Sequence, residues 1–277
     1  MVLVARVIKI CWANYVYGGI WVKAVILCGG LGTRLREETE FRPKPMVPVG
    51  GMPIIWHIMK TYSHYGVKDF VLCLGYKGEM IKQFFLDQEL AGKDFTISLK
   101  TGKKAVGAGN GIEDWNVTLA DTGPTTMTGG RIKRVQKYVP DDEFFLTYGD
   151  GVADVDLNAL LSVHRKAGRI GTLTGVKMPS RFGMIKSSGD RVDEFVEKPV
   201  LDNRINGGYF AFKKDLFDLL SEDESCVLEA APLATLAKKG ELTVYNHDGF
   251  WYAMDTYRDF TELNRIWDGG KAPWKVW

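Results

Sequence analysis

Apolar positions along this chain follow two rhythms. Short unbroken runs at residues 23–27, 69–74 and 143–148 predict strands buried on both faces. Between them lie stretches with helical spacing. Residues 53–65 put Ile54, Ile55, Ile58, Met59 and Tyr62 on one stripe, with Pro53 opening the helix. Residues 78–86 predict a second helix, 115–120 another strand, and 130–139 a basic amphipathic helix. This alternation argues for a parallel sheet covered by helices. The second half differs. Residues 173–178, 183–186, 192–196 and 209–212 read as short strands separated by turn residues, closer to an antiparallel layer. A helix at 228–238, a strand at 242–246 and a last helix at 256–267 complete the pattern.

Composition narrows this only a little. With 277 residues, 45% hydrophobic and 25% charged, the chain suits one large α/β domain or two small ones. A formal net charge of +2 gives no electrostatic argument for a nucleic-acid partner. No long apolar stretch supports a membrane location. Cys11, Cys28, Cys73 and Cys226 are widely spaced and form no metal-type pair, so they read as reduced thiols in a cytoplasmic protein. Cys28 and Cys73 end strands and read as small core residues rather than catalysts. The four histidines are scattered and read as structural. Residues 1–21 are rich in Val, Ile, Tyr and Trp but broken by Arg6 and Lys9, unlike a signal peptide or a membrane span. They are expected to be a functionless extension, non-native or mis-assigned, with the domain occupying 22–277.

The chemistry begins where the first strand ends. Leu27-Cys28-Gly29-Gly30-Leu31-Gly32-Thr33-Arg34 passes from apolar residues through three glycines to a permanent, forked cation. Glycines there let several backbone N–H groups surround a bulky anion. The dinucleotide fingerprint does not fit, because the third position after Gly32 is Leu35. The P-loop does not fit either, because no Gly-Lys-Ser/Thr triplet occurs. Lys44 lies between Pro43 and Pro45, which limit its backbone freedom. A tight turn without a ligand is the plainer alternative, but it leaves Arg34 and Lys44 unexplained.

Nucleotide chemistry calls for carboxylates at strand ends. Asp150 sits in Tyr148-Gly149-Asp150-Gly151, where a buried strand emerges. Asp255 follows an apolar run and precedes the last helix, so it is either a metal ligand or that helix's cap. Asp156 reads as a helix cap, although Asp154-Val155-Asp156 also has the spacing of a glycosyltransferase metal motif. In Glu197-Lys198-Pro199 the two charges would point to opposite faces of a strand; a surface ion pair is the alternative. Asn206-Gly207-Gly208 would admit a flat ligand such as a sugar ring, or simply turn the chain.

Together these segments resemble the nucleotidyltransferases that make nucleotide-sugars from a sugar 1-phosphate and a nucleoside triphosphate. The likeness runs from Val22 to Trp277. The segments 115–123, 125–131 and 249–256 narrow it to the branch that uses CTP and glucose 1-phosphate. Cys28 departs from the alanine common in that family. The resemblance implies a Rossmann-like α/β fold with a mixed, mainly parallel central sheet flanked by helices. It implies attack of the sugar phosphate on the α-phosphorus of CTP, with Mg²⁺ held by Asp150 and Asp255. Leu27, Gly29, Gly30, Gly32, Thr33 and Arg34 would hold the nucleotide, Thr125 and Gly130 would face its base, and Gly149 its nucleoside. Lys44 would bind phosphates at the reacting centre. Lys198 would bind the sugar phosphate, and Glu197, Asn206 and Gly207 would take part in substrate binding. Arg34, Lys44 and Lys198 are the implied catalytic cations. Homo-oligomers are common in such a family, and the tryptophan-rich C-terminus is either an interface or packed on its own domain.

Overall fold

The computed structural model describes residues 22–88, 90, 93–107, 113–180 and 182–277. The expectations for residues 1–21, Cys11 included, lie outside them. Seven strands make the central sheet: β1 (Lys23–Leu27), β2 (Asp69–Leu74), β3 (Asn116–Asp121), β4 (Glu143–Tyr148), β5 (Gly171–Val176), β6 (Ile205–Lys213) and β7 (Leu242–His247). Their spatial order is β7-β5-β6-β4-β1-β2-β3. All neighbours are parallel except those of β6, which runs antiparallel to β4 and to β5. Among the described residues, six helices longer than one turn flank the sheet: α1 (Ile54–His64), α2 (Gly78–Asp87), α3 (Thr128–Arg134), α4 (Leu157–Ala167), α5 (Ala231–Lys238) and α6 (Tyr257–Asp268). Among the described residues, no helix is long and apolar enough to cross a membrane.

The unbroken apolar strands follow from cover on both faces. Successive residues of β1 point to opposite sides, so Ala24 and Ile26 enter one core while Val25 and Leu27 enter the other. The same division separates Phe145 from Phe144 and Leu146 in β4, and Tyr209 and Ala211 from Phe210 and Phe212 in β6. The predicted stripe of α1 closes the first core, where Ile54, Ile55, Ile58, Met59 and Tyr62 are fully buried. Each such side chain contributes about 1.5–3 kcal/mol by leaving water. Helices α3 and α5 cover the second core through Ile132, Leu233 and Leu236.

Three expectations change. The basic helix starts two residues early, at Thr128, and ends at Arg134; Gln136–Tyr138 forms a separate 3-10 turn. The helix expected from 228 begins at Ala231, because Pro232 fits only the first turn. The antiparallel layer of the second half shrinks to one ribbon, Met184–Ser188 with Arg191–Val196, whose residues are all exposed. The other segments rejoin the main sheet as β5 and β6, since their inward residues need a second layer to bury them. The C-terminus packs on its own domain. Trp274 is fully buried and stacks on Trp267 and Phe250, while Trp277 meets Trp56 edge-on.

Candidate nucleotide and metal site

The strand order places the site. From β1 the chain moves outward to β2 and β3, then returns to β4 on the other side of β1. The carboxyl ends of β1 and β4 therefore diverge around one crevice, where open sheets bind ligands. Both glycine-bearing loops leave from that point, and the Gly149 N–H donates to the Leu27 carbonyl at 3.0 Å.

The two predicted carboxylates meet through a small ribbon. Just after Asp150, Gly151–Ala153 pairs antiparallel with Trp251–Ala253, matching Gly151 to Ala253. Two residues beyond that pair lies Asp255, and the Met254 N–H donates to the Asp150 carbonyl at 2.9 Å. Asp255 is not the cap of α6. That role belongs to Thr256, whose hydroxyl accepts from the Asp259 N–H in a reciprocal capping box. Released from capping, Asp255 faces Lys44. The Lys44 Nζ donates to Asp150 Oδ2 and to Asp255 Oδ1, each at 2.7 Å, and Arg34 lies 3.0 Å from the same Asp255 oxygen. Burial would lower the Lys44 pKa, but the two carboxylates outweigh it and the net direction is up. Lys44 rides a 3-10 turn, Lys44–Met46, behind an extended Pro43.

Among the described residues, no group of three or more His, Cys, Asp or Glu is placed to hold a metal ion. Two carboxylate oxygens converging on one cation do suit Mg²⁺, which commonly takes one or two protein carboxylates and completes its shell with water and substrate phosphates. The Asp-x-Asp alternative fails: Asp156 Oδ1 accepts from the Ala159 N–H and caps α4, while Asp154 lies 3.0 Å from His247.

A cavity of about 220 Å³ opens beside the cluster. Leu27, Gly29, Gly30, Lys44, Gly149 and Asp150 line it, as the sequence led us to expect. Gly32 holds a left-handed φ of 65°, and beyond it Thr33 and Arg34 stand exposed at the mouth. The opposite wall brings a residue the sequence reading passed over. Arg131 is 4% exposed and donates to the carbonyls of Gly29, Leu74 and Gly123 at 2.9, 3.0 and 2.7 Å, and to the Thr122 hydroxyl at 2.8 Å. A Cβ at Gly29 would lie 2.1 Å from its guanidinium carbon, so that glycine is needed for the close approach of Arg131. The only sequence signal was its place in a segment already singled out, at the start of the predicted basic helix.

Of the residues expected to face the base, neither lines the cavity. Thr126, Met127, Thr128 and Arg131 face the cavity, whereas Thr125 is exposed and donates to Glu224 at 2.9 Å. Gly130 lies inside α3, where a Cβ would meet the Asp223 carbonyl at 2.5 Å, so it serves close packing against that loop. Tyr148 completes the wall. Its hydroxyl and that of Thr128 both donate to Glu229.

The sugar-side residues are less gathered. The Asn206 amide reaches Tyr148 Oη at 3.5 Å, and the Gly207 carbonyl accepts from the Trp251 indole at 2.6 Å. Glu197 and Lys198 stand outside the cavity wall, beyond the end of the exposed ribbon. They do not take opposite faces of a strand: Lys198 has a left-handed φ of 49°, and its Nζ lies 3.3 Å from Glu197. Cys28 and Cys73 are buried thiols, as expected; burial raises both, Cys73 to about 12. A larger groove of about 960 Å³ lies behind α3 among Lys133, Arg134, Lys214 and Glu222, but it contains none of the carboxylate–cation cluster.

A nucleotidyl transferase family profile matches residues 23–267. The chain is 51% identical over 258 residues to the glucose-1-phosphate cytidylyltransferase of Salmonella typhi, covering 92% of this chain and 100% of that one. It is 46% identical to the probable glucose-1-phosphate cytidylyltransferase of Bacillus subtilis, again over 92% and 100%. The crystal structure of HddC from Yersinia pseudotuberculosis superposes with a TM-score of 0.65 over 89% of this chain and 99% of that one, at 21% identity, a likeness of fold. By the profile over residues 23–267 and the 51% identity to a relative covered in full, the chain belongs to the nucleotidyl transferase family and, within it, to the glucose-1-phosphate cytidylyltransferases.

Proposed function

We propose that the protein transfers a cytidylyl group from CTP to α-D-glucose 1-phosphate, giving CDP-glucose and pyrophosphate. The observation that carries the reading is the meeting of Lys44, Asp150, Asp255 and Arg34 beside the Gly29–Gly32 loop, in a chain 51% identical to a cytidylyltransferase.

In this reading the base enters the cavity beside Thr126 and Thr128, and the Gly29–Arg34 loop offers backbone N–H groups and a guanidinium to the triphosphate. Lys44 is near enough to stabilise charge gathering on the α-phosphate. Asp150 and Asp255 would hold Mg²⁺. When bound, the ion neutralises phosphate charge and helps the pyrophosphate leave. Lys198, with Glu197, Asn206 and Gly207, would hold the sugar phosphate so that its oxygen attacks in line with the departing pyrophosphate. The buried free thiols Cys28 and Cys73 accord with a reducing cytoplasm. Association of identical copies belongs to the same reading; the exposed cross-strand pair Ile185 and Phe195 supports it, and sedimentation velocity checks it.

Pyrophosphate release with glucose 1-phosphate, Mg²⁺ and each of CTP, UTP, dTTP, ATP and GTP tests the proposal. Turnover confined largely to CTP is expected. Turnover with another nucleotide would overturn the base assignment and keep the mechanism. No turnover with any of the five, from folded protein, would favour another sugar phosphate first and then a binding subunit on this scaffold. The intact cluster of four opposed charges argues against that alternative.

A further inference from the structure

We infer that Lys44 and the divalent cation are alternative occupants of one point between Asp150 and Asp255, so that metal binds tightly only together with the nucleotide that draws Lys44 away. The inference rests on the metal assignment proposed above and adds a coupling to it.

The geometry leaves little room for both. Oxygens from two separate carboxylates reach the Lys44 Nζ at 2.7 Å each, so they point into the same small volume. An Mg²⁺ ion needs carboxylate oxygens at about 2.0–2.1 Å. An ion held by both oxygens would therefore sit against the ammonium and be repelled by it. Charge counts the same way. Arg34, Lys44, Asp150 and Asp255 already sum to zero, and three of the four are mostly shielded, with side-chain exposures of 11%, 29% and 19% for Lys44, Asp150 and Asp255. A dication alone would leave two uncompensated positive charges there. A triphosphate changes both conditions, bringing negative charge and oxygen ligands for the ion and new acceptors for Lys44 and Arg34.

The exchange needs only a side-chain movement. Pro43 and the buried Pro45 restrict the backbone around Lys44, while its four-carbon stem swings about several rotatable bonds. The ammonium thus moves from carboxylate to phosphate over a short arc, and the carboxylates it leaves take the metal. Linkage then requires reciprocity: whatever factor CTP adds to metal affinity, metal adds to CTP affinity.

Electron paramagnetic resonance of Mn²⁺ titrated into the enzyme provides the test, since it reads bound metal without turnover. Four samples are compared: wild type, wild type with CTP, Lys44→Met, and Lys44→Met/Asp150→Asn. Mn²⁺ held by CTP in solution is subtracted. Removing a positive charge at this distance should tighten Mn²⁺ binding without nucleotide by about tenfold or more in Lys44→Met. The double variant should lose that gain. Wild type that binds Mn²⁺ equally well with and without CTP would overturn the inference and leave the assigned reaction standing. Absence of bound Mn²⁺ in all samples, CTP included, would overturn the inference and the metal assignment together. Should Lys44→Met fail to fold, calorimetry on wild type decides: CTP affinity must rise with Mn²⁺ by about tenfold or more, and an unchanged affinity would refute the exchange.

Discussion

Arg131 and Lys198 are both cations at the edges of the candidate site, and they live in opposite surroundings. Arg131 is buried and spends its guanidinium on the carbonyls of Gly29, Leu74 and Gly123, tying together the loops that follow β1, β2 and β3. Lys198 follows a two-stranded ribbon exposed throughout, and its ion-pair partner among the described residues is its neighbour Glu197. Under the function proposed above, the nucleotide side is therefore fixed before any substrate arrives. The sugar side hangs on a segment with little apolar burial to hold it, since an isolated hairpin is only marginally stable in water. Preorganisation favours tight, geometry-dependent binding on the first side. On the second, the proposed sugar phosphate would itself order its contacts.

The largest test of this contrast lies where the two sides meet. Asp150→Asn should lower turnover about a thousandfold with little change in melting temperature, read by pyrophosphate release and calorimetry. A small loss would mean that Asp150 is a structural partner of Lys44 and not part of the chemistry. Arg131→Ala strikes the fixed side itself. It leaves several carbonyls without their donor and should cost about 3 kcal/mol of stability in urea unfolding, with CTP binding weakened as well. Unchanged stability would show that the nucleotide wall does not depend on this guanidinium.

Acid should reach the core under α1, away from both sides, through His57, which burial among Trp56, Trp267 and Trp274 pushes down to about 4. Its folded value lies below the ordinary 6.5. The stability of the neutral ring is therefore complete above about pH 6.5 and falls by about 3 kcal/mol as pH drops toward 4. Unfolding free energies measured across that range should show the decline, and a flat profile would reject it. The smallest effect is expected on the loose side. Lys198→Ala should raise the KM for glucose 1-phosphate about tenfold while leaving the KM for CTP and the melting temperature alone. Equal changes in both KM values would dissolve the distinction between the two sides.

What the sequence disclosed divides along the same line. The β1 run, the Gly29–Arg34 loop, Lys44 and Asp150 were legible because local chemistry dictates them: unbroken apolar strands, glycines before a cation, an acid between glycines. Arg131 was hidden because its burial depends on three loop carbonyls contributed by distant strand ends. The offset from Thr125 to Thr126 and the packing role of Gly130 were hidden for a related reason, since both depend on the loop at 223–229 that presses on α3. The status of Asp255 was ambiguous in sequence. It resolved only because Thr256 and Asp259 form the cap between themselves. The second-half strands misled us because short alternating runs look alike whether they join a large sheet or a ribbon.

Trp274 lies in the core with the aromatic rings of Phe250, His57 and Trp267 around it, and its carbonyl accepts from the Thr61 hydroxyl of α1. Every strand of the sheet precedes it in the chain. During synthesis, then, the sheet emerges from the ribosome before the residue that seals one of its faces. Until Trp274 arrives, His57 and its neighbours stay partly open to water and to chaperones. A polypeptide that stops short of Trp274 would carry every strand of the sheet yet leave that core unsealed, ready for proteolysis.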